Sequence, residues 1–282
     1  MGGHIRNTQR AFRAVCVGRV IRAGLDRIIE AAVRRDRGLV LVSLLTLAAL
    51  AWTYLWLEAD AMDRMMLGER PMIMLPTAAN AGTLALAFLM WAIMMVGMMV
   101  PSAAPMILLY TTMVRKNRER GTALPAVWIF TSGYLLVWAA FSLLATALQV
   151  IFEELRIASS MMVVTDKWLG GTIMIAAGIY QWSSIKEACL AKCRSPIHFI
   201  TGHWQPGHFG ALRMGANHGR YCLGCCWTLM LLLFVGGVMN LIWVVLIAGF
   251  VLMEKLSRHG RVIGRIAGVG LAVSGVYVLF AP

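Results

Sequence analysis

The stretch CCWTLMLLLFVGGVMNLIWVVLIAGFVLM, residues 225–253, runs apolar almost without interruption and opens on two cysteines. A helix crosses about 30 Å of hydrocarbon with roughly 20 residues, so this run is long enough to do so once. How it is read decides the fold. A single helix over 226–252 would carry the chain across. Alternatively, Gly236 and Gly237 would break it into a re-entrant pair, which is tolerated only where protein or water covers the freed backbone. The single crossing is the reading adopted from sequence.

Working outward, similar apolar runs recur at about 39–57, 82–112, 124–150, 168–186 and 262–281, which makes six expected spans in all. None alternates with period two, so helices are expected rather than a barrel. The 282 residues are 60% hydrophobic and 14% charged, outside the range of ordinary soluble domains. The expected fold is therefore all-α: a polytopic membrane helix bundle with a basic, amphipathic N-terminal extension. Residues 1–38 form that extension and 39–282 the transmembrane domain, with a Cys/His-rich internal segment at 187–226. A long basic segment precedes the first run, which is not the pattern of a cleaved signal peptide, and 39–57 is expected to stay in the mature protein.

Charge assigns sides. Residues 1–38 hold nine arginines against three acids, which places this end in the cytoplasm. The loop with Glu58, Asp60, Asp63 and Glu69 then falls outside, RKNRER inside, and Glu153, Glu154 and Asp166 outside. The segment 187–221 falls inside and takes the cysteines with it. EKLSRHGR, residues 254–261, is left outside by a single crossing despite its basic excess. The N-terminal arginines interleave with Phe12, Val15, Ile21, Leu25 and Ile28, as in a helix lying on anionic lipid. Lipid is the expected partner there, not nucleic acid.

Twenty methionines are unevenly placed. Met62, Met65, Met66, Met72 and Met74 lie in the acidic external loop, and others form MWAIMMVGMMVPSAAPMILLYTTM. On a straight helix Met95, Met99, Met106 and Met113 fall within roughly 40° of one another, flanked by Met94 and Met98. Such a thioether ladder suits Cu(I) or Ag(I) and tolerates hydrocarbon; adaptable packing is the alternative. Pro101 and Pro105 interrupt the backbone hydrogen-bond ladder beside it and free carbonyls.

Five of six cysteines bracket one segment: Cys189 and Cys193 at its start, Cys222, Cys225 and Cys226 at its end. The four-residue spacing puts the first two on one helix face. C-x-x-C lets two thiolates reach one metal ion, and the whole pattern resembles tetrahedral zinc sites. His218, four residues before Cys222, is the best histidine candidate. His198, His203 and His208 share no helical face, and Gly202, Pro206 and Gly207 read as an irregular loop. The bland alternative is that the cysteines are small buried hydrophobes. Spacing alone leaves copper and zinc open, with copper favoured by the methionines. Asn240 and Gln181 read as inter-helix glue.

With MWAIMMVGMMVPSAAPMILLY, YQWSSIKEACLAKCRSP and RMGANHGRYCLGCCWTLMLLLFVGGVMNLIWV in view, the chain resembles a bacterial family of predicted metal-binding integral membrane proteins over roughly residues 82 to 280. The family pattern maps onto Met94, Met95, Met98, Met99 and Pro101, then Lys186, Cys189, Cys193, Arg194, Ser195 and Pro196. It continues with His218, Cys222, Cys225, Cys226, Met239, Asn240, Glu254 and Lys255. The resemblance implies metal binding, without a reaction or a partner.

The leading expectation is a protein of the bacterial cytoplasmic membrane, N-terminus inside, that handles a soft metal, most plausibly copper. External methionines would collect the ion, the span-two stripe would relay it, and the cysteines would receive it, for uptake, relay or delivery to a membrane enzyme. Cys189, Cys193, His218, Cys222, Cys225 and Cys226, with Met94, Met95, Met98 and Met99, are the candidate ligands. One alternative is a membrane oxidoreductase using the metal or the Cys222/Cys225 pair, with Arg220 lowering a thiol pKa. Another is an accessory subunit of a membrane complex with a structural metal. A membrane complex or a metal chaperone is the expected protein partner. No G-x4-G-K-[ST] motif is present, which argues against pumping by this chain alone.

Overall fold

The computed structural model describes residues 34–64, 81–117, 124–157 and 164–280. Among them the chain is all-helical: α1 Arg34–Arg64, α2 Ala81–Asn117, α3 Leu124–Glu154, α4 Lys167–Tyr180, α5 Ser184–Arg194, α6 Pro196–His203, α7 Gly207–Gly236, α8 Leu241–Leu256 and α9 Gly260–Phe280. Five of these, α1, α2, α3, α7 and α9, are long and apolar enough to cross a membrane. Residues 34–38 of the basic extension open α1; the rest of that extension, with Cys16, lies outside the described residues, as do Met65, Met66, Met72 and Met74.

The run at 225–253 does not cross once. α7 ends at Gly236, Gly237 takes φ +93° in the left-handed region that favours glycine, and Asn240 restarts the chain by accepting from the Trp243 amide. α8 then returns through the bundle for 16 residues. At 1.5 Å per residue that is about 24 Å, short of a full crossing. The run is thus two helices that fold back on each other, and the packed protein covers the break: the Trp243 indole donates to the Leu232 carbonyl at 2.7 Å.

The expected span at 168–186 is likewise corrected. α4 is capped at its start by the Asp166 carboxylate on the Leu169 amide (2.7 Å) and stops at Tyr180, after 14 residues. Ser183 then caps α5 through the Lys186 amide, with Glu187 in the first turn and Lys192 and Arg194 in the last, each sign suited to the helix dipole. The segment read as an irregular loop is helical on both sides of Trp204–Pro206. α7 continues N-terminally through HGRY because its polar residues face outward: Arg213 and Arg220 are exposed, whereas Met214 and His218, a turn apart, are buried.

Close helix contacts position the rest. α3 packs most extensively on α7, where a side chain at Gly215 would collide with the Phe130 carbonyl. α4 runs antiparallel along α9, with Gly178 facing Gly268 and Ala272. α1 lies along α2. Pro101 has no N–H to offer the Gly97 carbonyl, and the Trp52 indole of α1 donates to it at 3.2 Å. The Val164 amide bonds the Phe234 carbonyl (2.8 Å), which ties the α3–α4 connection to the far end of α7. Leu144, Ile242, Tyr277 and Phe280 project outward, an arrangement suited to hydrocarbon surroundings.

Candidate metal centre

Cys222, Cys225 and Cys226 do not lie at the mouth of an apolar segment; they sit near the middle of α7 and are fully buried. Helical spacing puts Cys222 and Cys226 on one face, and both the Cys225 and Cys226 thiols donate to the Cys222 carbonyl at 3.0 Å. Cys226 also pairs with the sulfurs of Cys222 and Cys225, and Cys225 with that of Cys193 on α5. Gly224 lets α5 come this close: a Cβ there would stand 2.7 Å from the Cys189 sulfur. The Tyr180 hydroxyl fixes the same point of α7 by donating to the Gly224 carbonyl at 2.6 Å. Five sulfurs from two helices are thus gathered, all as free thiols.

On α5, burial pushes the Cys189 thiol above its ordinary value. Cys193 is raised further, first by its hydrogen bond with Cys225 and then by burial. Both are therefore neutral thiols at pH 7 until something displaces the proton.

Charged groups surround this cluster. The Lys255 ammonium of α8 donates to the Cys222 sulfur (2.9 Å) and to the Ser102 hydroxyl of α2 (2.9 Å). The Tyr134 hydroxyl of α3 donates to the Met99 carbonyl (3.1 Å) and lies 3.1 Å from the Cys222 sulfur. One residue away from Lys255, Glu254 pairs with Lys186, whose Nζ stands 2.7 and 2.8 Å from its two carboxylate oxygens. Lys186 also donates to the Gln181 side-chain carbonyl. All three members of this network are buried. Gly264 of α9 is required beside it, since a Cβ there would overlap the Glu254 carboxylate.

His218 is also brought in, on the ring of Tyr134 (centroids 5.5 Å) with Phe130 and Phe199 around it. Its Nδ1 has no protein hydrogen-bond partner. His198 and His208 are exposed and His203 stacks on Phe199, apart from the thiols. Met94, Met95, Met98 and Met99 are buried on the inner face of α2, with Met106 below them. Only at Met99 does a hydrogen bond, through its backbone, reach the cysteine site. Among the described residues, no three Cys, His, Asp or Glu side chains close around one point as a formed metal site.

The family pattern named Lys255 without giving it a role, and Tyr134 was not singled out from sequence. EKLSRHGR was expected in an external connection, yet Glu254 and Lys255 close the last turn of α8 and are buried in the bundle, because α8 folds back along α7. Arg220, expected beside the thiols, is exposed and bonds Asn217 at 2.6 Å; Lys255 is the cation at Cys222. The signal available was a charged Glu-Lys pair ending an apolar run. Gln181 accepts from a buried lysine, and Asn240 is a helix cap.

The sulfur-only donor set suits a soft ion: two thiolates satisfy Cu(I), whereas Zn(II) asks for four ligands in a closed tetrahedron. No curated protein and no solved structure matches the chain. A family model described as a copper chaperone, PpoB2, matches residues 88–278, a stretch that contains Met94 through Lys255 and so the whole cluster. Since that match covers well over half the chain, this protein belongs to the PpoB2 copper chaperone family.

Proposed function

We propose that this chain is a membrane-embedded copper handler that takes Cu(I) as cargo into the buried thiol centre and releases it to an acceptor protein. The observation that supports this best is the convergence of Cys189 and Cys193 of α5 on Cys222, Cys225 and Cys226 of α7. Two neighbouring thiolates suffice for Cu(I), a low coordination number that suits an ion carried as cargo. Cys222 and Cys226, on one face of α7, are the proposed ligands as thiolates, with Cys193 and Cys225 beside them and Cys189 and His218 adjacent. The α2 methionines Met94, Met95, Met98 and Met99 are the proposed approach path, since thioethers hold the ion more weakly than thiolates. The acceptor is a membrane enzyme or another copper carrier. By the positive-inside rule the protein sits in the bacterial inner membrane with its arginine-rich end in the cytoplasm.

The thiol-redox alternative is weaker, because Cys222 and Cys225 lie in the interior of an uninterrupted buried helix and not at an accessible helix N-terminus. The test is Cu(I) titration of the purified full chain in detergent micelles under reducing, anaerobic conditions against a chromophoric chelator. Stoichiometric binding is expected, and loss of it in the double variant Cys222→Ser/Cys225→Ser. Tightly held zinc in both proteins, with no competition for Cu(I), would refute the reading.

A further inference from the structure

The cysteine centre contains a cation of its own. Lys255 is 8% exposed and its ammonium contacts the Ser102 hydroxyl and the Cys222 sulfur. The neighbouring carboxylate, Glu254, is matched by Lys186 at 2.7 Å. Among the described residues no carboxylate lies within ion-pair distance of Lys255. Two ammoniums therefore share one carboxylate in the interior, and a buried charge without a counter-charge is strongly unfavourable. The sulfur on which Lys255 rests is the group that can supply the missing negative charge.

We propose that Lys255 is the internal counter-ion of the thiol centre and a specificity-determining residue: it favours a monovalent soft ion held by the Cys222 and Cys226 thiolates over a divalent ion on the same two sulfurs. This rests on the copper-handling reading above. Two thiolates and one Cu(I) carry a net charge of −1, which a single ammonium cancels. Two thiolates and one Zn(II) or Cd(II) are neutral and leave the ammonium uncompensated. On loading, metal–sulfur bonds replace sulfur–hydrogen bonds, the thiol protons leave for bulk water, and no electron moves. Tyr134 and Ser102 hold the two ends of this pair in place, Tyr134 from the sulfur side and Ser102 from the ammonium side.

Unit charges about 4 Å apart at an effective dielectric near 20 interact strongly enough to change binding by up to roughly a thousandfold. The test uses redox-inert probes, Ag(I) and Cd(II), titrated into the full chain in micelles. Wild type should prefer Ag(I). Lys255→Met should weaken Ag(I) by about ten- to a thousandfold while Cd(II) weakens less or tightens, and Lys255→Arg should keep the wild-type order. In a Cys222→Ser background the effect of Lys255→Met should shrink, because the lysine acts through that sulfur. Equal loss of both ions in Lys255→Met would reduce the lysine to a structural role and overturn the proposal, as would unchanged Ag(I) binding. Lys255→Gln, which keeps a donor but no charge, gives the same reading if the Met variant does not fold. Wild type that binds no Ag(I) or Cu(I) defeats the proposed function and this inference together; binding that ignores Lys255 defeats only the inference.

Discussion

The sulfur-rich face of α2 and the sulfur-rich face of α7 are equally buried but differ in what surrounds them. Met94, Met95 and Met99 are fully enclosed, as are Cys222, Cys225 and Cys226. Beside the methionines on the same helix, Trp91 meets Phe234 at a tilt with ring centroids 5.0 Å apart and donates to the Gln149 side-chain carbonyl at 2.8 Å. The cysteines instead meet an ammonium, a phenol and one another. Burial alone therefore does not separate ligand from core. A convergent set of polar groups does, because such groups are costly inside a bundle unless they are matched.

The sharpest way to break that contrast is to remove the thiols. Cys222→Ser/Cys225→Ser should abolish stoichiometric Cu(I) binding while the helical circular dichroism persists; retained binding would transfer the site to the methionines. Next in size is Glu254→Gln, which leaves Lys186 buried without its partner. A loss of about 3–5 kcal/mol is expected from breaking a buried pair, read as a lower thermal midpoint in micelles. Gly224→Ala should act more locally. A methyl 2.7 Å from the Cys189 sulfur must displace that sulfur from α7, so Cu(I) affinity falls several-fold, measured by chelator competition, while the helix content of α7 is kept. The smallest effect is expected from replacing Met95, Met98 and Met99 with leucine. Volume-conserving exchange should cost below about 1.5 kcal/mol per site in thermal stability. It should slow Cu(I) loading in stopped-flow more than it weakens equilibrium affinity. An affinity loss as large as that of the cysteine variant would erase the distinction between the two faces.

Much of this was legible in the sequence. The all-helical bundle follows from apolar runs with no period-two alternation, and the spacing singled out five cysteines that α5 and α7 bring near one another without a formed metal group among the described residues. The proline breaks in α2 pointed to freed carbonyls, and one of them, at Gly97, is met by Trp52. The path of the chain was harder. Hydropathy sums over a window and cannot register a reversal at Gly237, where the chain stays equally apolar on both sides. HGRY was left in the internal segment 187–221, ahead of the expected span at 226, because its charge interrupts the apolar run, whereas on a helix Arg220 and His218 face opposite ways. Lys255 stands in the family pattern, but its place beside Cys222 was out of reach for a different reason. Its meeting with Cys222 joins residues 33 positions apart through the return of α8 along α7, and depends on tertiary approach alone.

The Trp52 contact extends beyond its own hydrogen bond. The family match begins at residue 88, so α1 precedes the stretch shared with the family, yet its indole supplies the donor that Pro101 denies to Gly97. α1 thus acts as a splint across a fracture in the neighbouring helix, in the midst of the methionines and little more than a turn from Ser102. Cutting it away would expose a bare carbonyl to oil, where nothing answers it.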